Sequence, residues 1–343
     1  MMGGIIMQWR TWIVACAIAL YGSLAIAQVQ TPDGLAEIRR QADMGIARAQ
    51  VQLAVHLLEG DGINSDPLQA LEWFKKAAAQ DNADAKFFIA SMYLKGRGIP
   101  QDRAAGAFWL RKAAEQGEIK SQLLLGACYL EGEGVEKNPA EGFRWVSRAA
   151  VAGDGEAQFR LSYLYGTGTG TAKDQAKALE WLRKAAESGH GLACFRVSQL
   201  YRAGSLLPKD VQAANRLLRK SAELGEIGAQ VTLGIMLAEG DGIAPNDKEA
   251  VEWLTKAAFN GEQHAPALLC VMYDEGRGVA RDPIETYAWC VLAVKDGNRS
   301  AVKMQAEMKE RFTEQQLKSA QARAAELEKE IEQRKQQRSR IAG

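Results

Sequence analysis

The sequence predicts an all-α protein, an α/α superhelical solenoid of 36-residue helix pairs closed by a C-terminal capping helix. Three observations carry that prediction. A tryptophan column recurs at one fixed step, through Trp73, Trp109, Trp145, Trp181, Trp253 and Trp289, with Leu217 in the fifth place. An Ala-Ala pair follows four residues after most of them, at Ala77, Ala113, Ala149, Ala185 and Ala257. A Gly-x-Gly loop recurs in the same register, at Gly60/Gly62, Gly96/Gly98, Gly132/Gly134, Gly168/Gly170, Gly240/Gly242 and Gly276/Gly278. A constant period of this size marks stacked units, each burying its apolar face against the next. About fifteen or more helices, no strand and one continuous core are therefore expected.

Residues 1–27 stand apart from the repeat. Arg10 precedes an apolar run from Trp12 to Tyr21, then small residues and Ala25-Ile26-Ala27. This is the pattern of a secretory signal cleaved before Gln28, and it places the protein outside the cytoplasm, in the periplasm. The alternative is an uncleaved N-terminal anchor, the one route by which this chain would meet a membrane. Losing Arg10 leaves 42 basic against 42 acidic residues. That balance gives no electrostatic reason to expect nucleic acid. In an oxidising space Cys128, Cys194, Cys270 and Cys290 can form disulfides. Their columns favour four buried thiols, with Cys270–Cys290 the one pair close enough in sequence to suspect.

Residues 28–45 match only the second helix of a unit, with the polar Glu37 in the Trp column, and read as an N-terminal cap. Residues 46–297 are the tandem repeats. The first helix of a unit carries one apolar stripe, as at Ala85, Ile89, Met92 and Tyr93. Ala54, Ala90, Gly126, Ser162, Ser198, Gly234 and Cys270 form a column that is always small, which lets two helices approach closely. The glycine loop suits left-handed backbone past a helix end; a phosphate-cradling loop would need a preceding strand and a Lys-Ser/Thr in register. Asp66, Asp102, Asn138, Asp174, Asp210, Asn246 and Asp282 then start the second helix as N-caps. Gln69, Glu141, Glu249 and Glu285 three residues later predict capping boxes.

Residues 298–343 hold a last first-type helix and a long helix started by Thr313-Glu314-Gln315-Gln316. Leu317, Ala320, Ala324, Leu327 and Ile331 line one of its faces. A cap folding back on the last unit is expected, in preference to a coiled-coil seam. Arg334, Lys335, Arg338 and Arg340 suit its C-terminus rather than a nucleic acid.

A small-residue helix, Tyr, Gly-x-Gly, Asp, then Trp-x-x-Lys-Ala-Ala-x-x-Gly resembles the Sel-1-like repeat, a relative of the tetratricopeptide repeat. The resemblance covers about residues 35–300. It implies a superhelix displaying a groove to other proteins as an adaptor, and exported bacterial members resemble scaffolds or regulators of envelope processes. The fifth unit departs from the pattern, with Leu217 for Trp and Gly204-Ser205-Leu206-Leu207-Pro208 for the loop, so the step is expected to be least regular there.

Chemistry is sparse. His56, His190 and His264 sit in separate units without metal spacing or a nucleophile partner, so no metal and no cofactor are expected. Ser300-Ala301-Val302-Lys303 matches an S-x-x-K motif, the basis of a β-lactamase-like alternative. Its companions S-D-N and K-T-G are absent from the chain. The first helices instead carry a stripe that drifts between units: Phe88, Leu124, Arg160, Arg196, Thr232 and Leu268, and Ser91, Ala127, Tyr163, Gln199, Ile235 and Val271. In the related tetratricopeptide pattern this face lines the groove. Phe88, Leu124, Arg160, Tyr163, Arg196 and Gln199 are therefore the candidate contacts for a protein or peptide partner, with the two arginines and Tyr163 placed to hold an acidic or carboxylate-ended peptide. The competing expectation is that Arg160 pairs with Glu156 on its own helix.

Overall fold

The computed structural model describes residues 32–342. They form seventeen α-helices and, among the described residues, no strand. The secretory pattern at 1–27 lies outside them. Within the described part no helix is long and apolar enough to cross a membrane. The chain divides into two compact units, the first running to Lys184 and the second Ala185–Arg340.

The first unit opens with the cap α1 (Pro32–Asp43), whose Ile38 and Ala42 are buried and whose Arg40 pairs with Glu37 at 2.7 Å. Helix pairs follow: α2 (Ala47–Glu59) with α3 (Pro67–Ala79), α4 (Ala83–Lys95) with α5 (Arg103–Glu115), α6 (Ile119–Glu131) with α7 (Pro139–Val151), and α8 (Gly155–Thr167) with α9 (Gln175–Glu187). The second unit holds α10 (Gly191–Ala203) with α11 (Val211–Glu223), α12 (Ile227–Glu239) with α13 (Asp247–Phe259), and α14 (Ala265–Glu275) with α15 (Pro283–Lys295). Helices α16 (Arg299–Arg311) and α17 (Glu314–Ala342) close it. The irregular fifth loop is absorbed: Gly204 is left-handed, Leu207 is buried, and Asp210 caps α11 as elsewhere.

Each predicted N-cap accepts the backbone N–H three residues on, as Asp102 does from Ala105 at 2.9 Å and Asn138 from Glu141 at 3.1 Å. The reciprocal half of the capping box is not made. The cap residue's own N–H already donates across the loop to the first helix, Asn138 to Tyr129 O at 2.8 Å and Asn246 to Leu237 O at 2.8 Å. The freed acids take cations instead: Glu141 holds Arg144, Glu249 holds Arg219 and Glu285 holds Arg323. At α17 the box is complete, with Gln316 N–H donating to Thr313 Oγ1 at 3.2 Å and Thr313 N–H to Gln316 Oε1 at 2.9 Å.

Consecutive pairs are tied by a buried amide. Gln50, Gln122, Gln158 and Gln230 each donate Nε2–H to a carbonyl at the end of the preceding second helix, those of Ala42, Ala114, Ala150 and Ala222, at 3.1–3.3 Å. Cys194 occupies the same column, and its Sγ donates to Ala186 O at 3.3 Å. A buried carbonyl left without a donor is costly, so this column is polar for a structural reason. The second glycine of the loop serves the stacking as well. A Cβ at Gly134 would lie 2.0 Å from Arg103 O, and one at Gly278 2.2 Å from Asp247 O.

The tryptophans are unevenly enclosed. Trp145, Trp253 and Trp289 are buried, whereas Trp73, Trp109 and Trp181 are half-buried and pack against it. Several carry a cation three residues on: Lys76 lies 3.7 Å from the Trp73 ring centroid, Lys184 4.2 Å from Trp181 and Lys256 4.0 Å from Trp253. The fully enclosed column is the next residue, Phe74, Leu110, Val146 and Leu254. Positions 70, 74, 77 and 78 share one helical face, and the Trp stands beside it.

Buried apolar residues gather into one cluster from Ile38 to Leu164 and another from Leu218 to Leu327. In the second, α17 folds back as a cap: Ala320, Ala324 and Leu327 are buried. Arg323 bonds Glu285 at 2.6 Å, Lys295 bonds Glu328 at 2.5 Å, and Arg338 donates to Asn260 O at 2.8 Å. Arg334 lies 4.4 Å from the Phe259 ring. The basic end of α17 is thus partly spent on the protein itself.

Candidate interaction face

The drifting stripe has different fates in the two units. In the first, Phe88 and Leu124 are buried in the core, Phe88 stacked on Phe74 with centroids 4.9 Å apart. The expectation of a face freed from packing is corrected there: variation from Phe to Leu is compatible with a core position of changing volume. Arg160 is also buried, and its Nε lies 2.5 Å from Glu156 Oε1, the helix-internal pairing that the sequence left open. Tyr163 is half-buried beside the cluster.

In the second unit the stripe is accessible along three first helices. Arg196 and Gln199 on α10 are exposed, Thr232 and Ile235 on α12 and Leu268 on α14 are partly exposed, and Val271 is 37% exposed. Their chain neighbours Val197, Leu233 and Leu269 are buried. Residues three apart on a helix share a face, so each helix presents a pair, and the pairs pass from cationic-polar on α10 to apolar on α14. Arg196 makes no ion pair among the described residues. A free guanidinium at one end and exposed aliphatic side chains at the other can hold a chain segment with matching chemistry.

Catalytic candidates do not assemble. Ser300 is exposed in the first turn of α16, and Lys303 is exposed with Nζ 4.0 Å from Glu307. His56 is buried with Nδ1 3.0 Å from Asp61 O, and His190 caps α10 by accepting Ala193 N–H at 3.2 Å. Burial pushes the Cys128 thiol up to about 12, which leaves it un-ionised at neutral pH.

Cys128 and Cys194 are the buried free thiols expected, but the expectation of four such thiols is corrected at the other two, which are joined. Cys270 and Cys290 form a disulfide between α14 and α15, across 20 residues. Its place explains it. The small column of each first helix faces the enclosed column of its own second helix, 20 positions on: a Cβ at Gly126 would meet Val146 at 2.7 Å, and one at Gly234 would meet Leu254 at 2.8 Å. In the last pair both partners are cysteine, so the closest approach becomes covalent. Bridging a loop of roughly this length is worth about 3 kcal/mol. Protein refolded with reductant is therefore expected to melt several degrees below the oxidised form; identical melting curves would show the bond to be energetically idle.

Helix pairs of 36 residues, glycine-turned and stacked through small columns, define an α/α repeat protein. The chain belongs to the Sel1 repeat family: the Sel1 repeat matches residues 47–82, 83–118, 119–154, 155–190, 191–226, 228–261 and 265–298. Among solved structures, a Sel1 repeat protein from Oxalobacter formigenes is 28% identical, covering 89% of this chain and 90% of that one with a TM-score of 0.64. A protective antigen present in uropathogenic Escherichia coli strains, displaying an SLR fold, is 29% identical over 91% of this chain and 75% of its own, with a TM-score of 0.47. No curated relative matches the chain. Sel1 repeat proteins are generally scaffolds that bind other proteins rather than enzymes.

Proposed function

We propose that this protein is an exported scaffold, held in the periplasm, that binds a partner protein through the exposed first-helix face of its second unit. The observation that carries the reading is the accessible stripe of Arg196 and Gln199, Thr232 and Ile235, and Leu268 and Val271, flanked by buried columns on the same helices. Export is supported by the apolar run after Arg10 and by a disulfide that an oxidising space would maintain. The partner segment that fits is extended or helical, with a carboxylate toward α10 and apolar side chains toward α14. Affinity from such a face rests on a few anchors.

The test begins with recovery of the partner from the cell envelope. Its affinity is then measured against wild type and against the double variant Arg196→Ala, Val271→Asp. A rise in Kd of about tenfold or more is expected, since loss of one charge-assisted contact alone reaches that size. Unchanged affinity at unchanged melting temperature would remove this face from the site.

A further inference from the structure

We infer that the fourth repeat is a built-in point of local opening, where α9 leaves α8 more readily than α3, α5 or α7 leaves its own first helix. The inference rests on a knob that the first three repeats carry and the fourth lacks. Near the ends of α2, α4 and α6 a leucine stands opposite a small residue on the second helix. The pairs are Leu58 with Ala70, Leu94 with Gly106 and Leu130 with Gly142, all six buried. The fit is tight, since a Cβ on Gly106 would lie 2.6 Å from Leu94 Cγ and one on Gly142 2.6 Å from Leu130 Cγ.

In the fourth repeat the leucine is replaced by Gly166. The residue opposite, Ala178, has grown by only one methyl, and a Cβ on Gly166 would lie 3.7 Å from it, at ordinary contact distance. The four side-chain carbons of the knob are lost, and the methyl of Ala178 replaces only one of them relative to the pairs at Gly106 and Gly142. The consequence shows on α9: Ala178, Leu179 and Leu182 are partly exposed, whereas Ala70, Leu71 and Phe74, their counterparts on α3, are buried. Glycine also weakens the helix that carries it. Gly166, Gly168 and Gly170 then follow one another at alternate positions, so backbone freedom is greatest at the turn that joins α8 to α9. Few buried apolar contacts and a glycine-rich connection are the marks of a segment that opens below the global unfolding free energy.

The function of such a segment is conformational. It lets one repeat in the array yield without unfolding of the rest, because each unit of a stack is held only by its neighbours.

The experiment is native-state hydrogen exchange, read by mass spectrometry on the full chain. Amides of residues 175–184 are expected to exchange about tenfold or more faster than those of α5 and α7, the scale set by partial opening. Gly166→Leu restores the Leu–Ala pair already present at Leu58 and Ala70, and is expected to slow exchange in 175–184 by about tenfold. Gly166→Ala is the milder variant and is expected to act in the same direction. The reciprocal change, Leu130→Gly, is expected to bring fast exchange to α7. Equal exchange across α5, α7 and α9 in the wild type would overturn the inference. So would fast exchange in α9 that neither Gly166 variant slows.

Discussion

Trp145→Ala is expected to lower the stability of the protein by about 3–5 kcal/mol, the range for emptying a large buried aromatic site. Trp145 is 8% exposed, the most enclosed ring of its column in the first unit, and it packs within a cluster that includes Val146, Ala149 and Ala150. The loss falls on both the transferred surface and the cavity left between helices that cannot collapse onto it. Trp73→Ala provides the contrast. That ring is half-buried under Lys76, so part of its area is already in water and the cost is expected to be clearly smaller. Urea titrations of the two variants measure the difference. Equal losses would mean that the column contributes through something other than burial.

The second large effect is expected at Gly134. Its φ is +71°, and an added Cβ would lie 2.0 Å from Arg103 O and 2.4 Å from the carbonyl carbon. Gly134→Ala therefore suffers twice. Left-handed backbone costs an alanine roughly 1–2 kcal/mol, and forcing a methyl into a packed backbone costs roughly 1–3 kcal/mol more. Gly117 isolates the first effect, for its φ is +92° and nothing lies within 4 Å of its would-be Cβ. Gly117→Ala is expected to lose only the backbone part. Thermal melts of the two variants separate strain from collision, and similar shifts would remove the stacking role assigned to the second loop glycine.

These contrasts mark how far the sequence could be read. The period placed the helix pairs, their caps and the closing helix, because a cap or a left-handed glycine is dictated by local backbone chemistry. What it misjudged involved two columns at once. The Trp column drew attention by its bulk, yet the enclosed position is the one after it, as Phe74 and Leu110 show. The Cys270–Cys290 bond was suspected only from nearness in sequence. The stronger signal is that the small column and the enclosed column are 20 positions apart, so that Gly126 meets Val146 and Gly234 meets Leu254 as Cys270 meets Cys290.

Drift between units suggests freedom from packing, but Phe88 and Leu124 vary while remaining in the core. Arg160 is neutralised by Glu156, and the capping-box acids are diverted because carbonyls of the first helix take the N–H groups of the cap residues. In α10, α12 and α14 both members of the drifting stripe are at least partly exposed. Nothing local distinguishes Arg160 from Arg196 except the acid four residues before the first of them.

The central claim is that this exposed stripe meets the partner, and site-specific photo-crosslinking tests it most directly. A photoreactive phenylalanine analogue replaces Gln199, Ile235 or Val271 in cells that make the protein, and for comparison it replaces Glu252, exposed on α13. The account predicts adducts with one and the same protein from the three stripe positions and none from position 252. Adducts absent from the stripe, or equally strong from position 252, would contradict it.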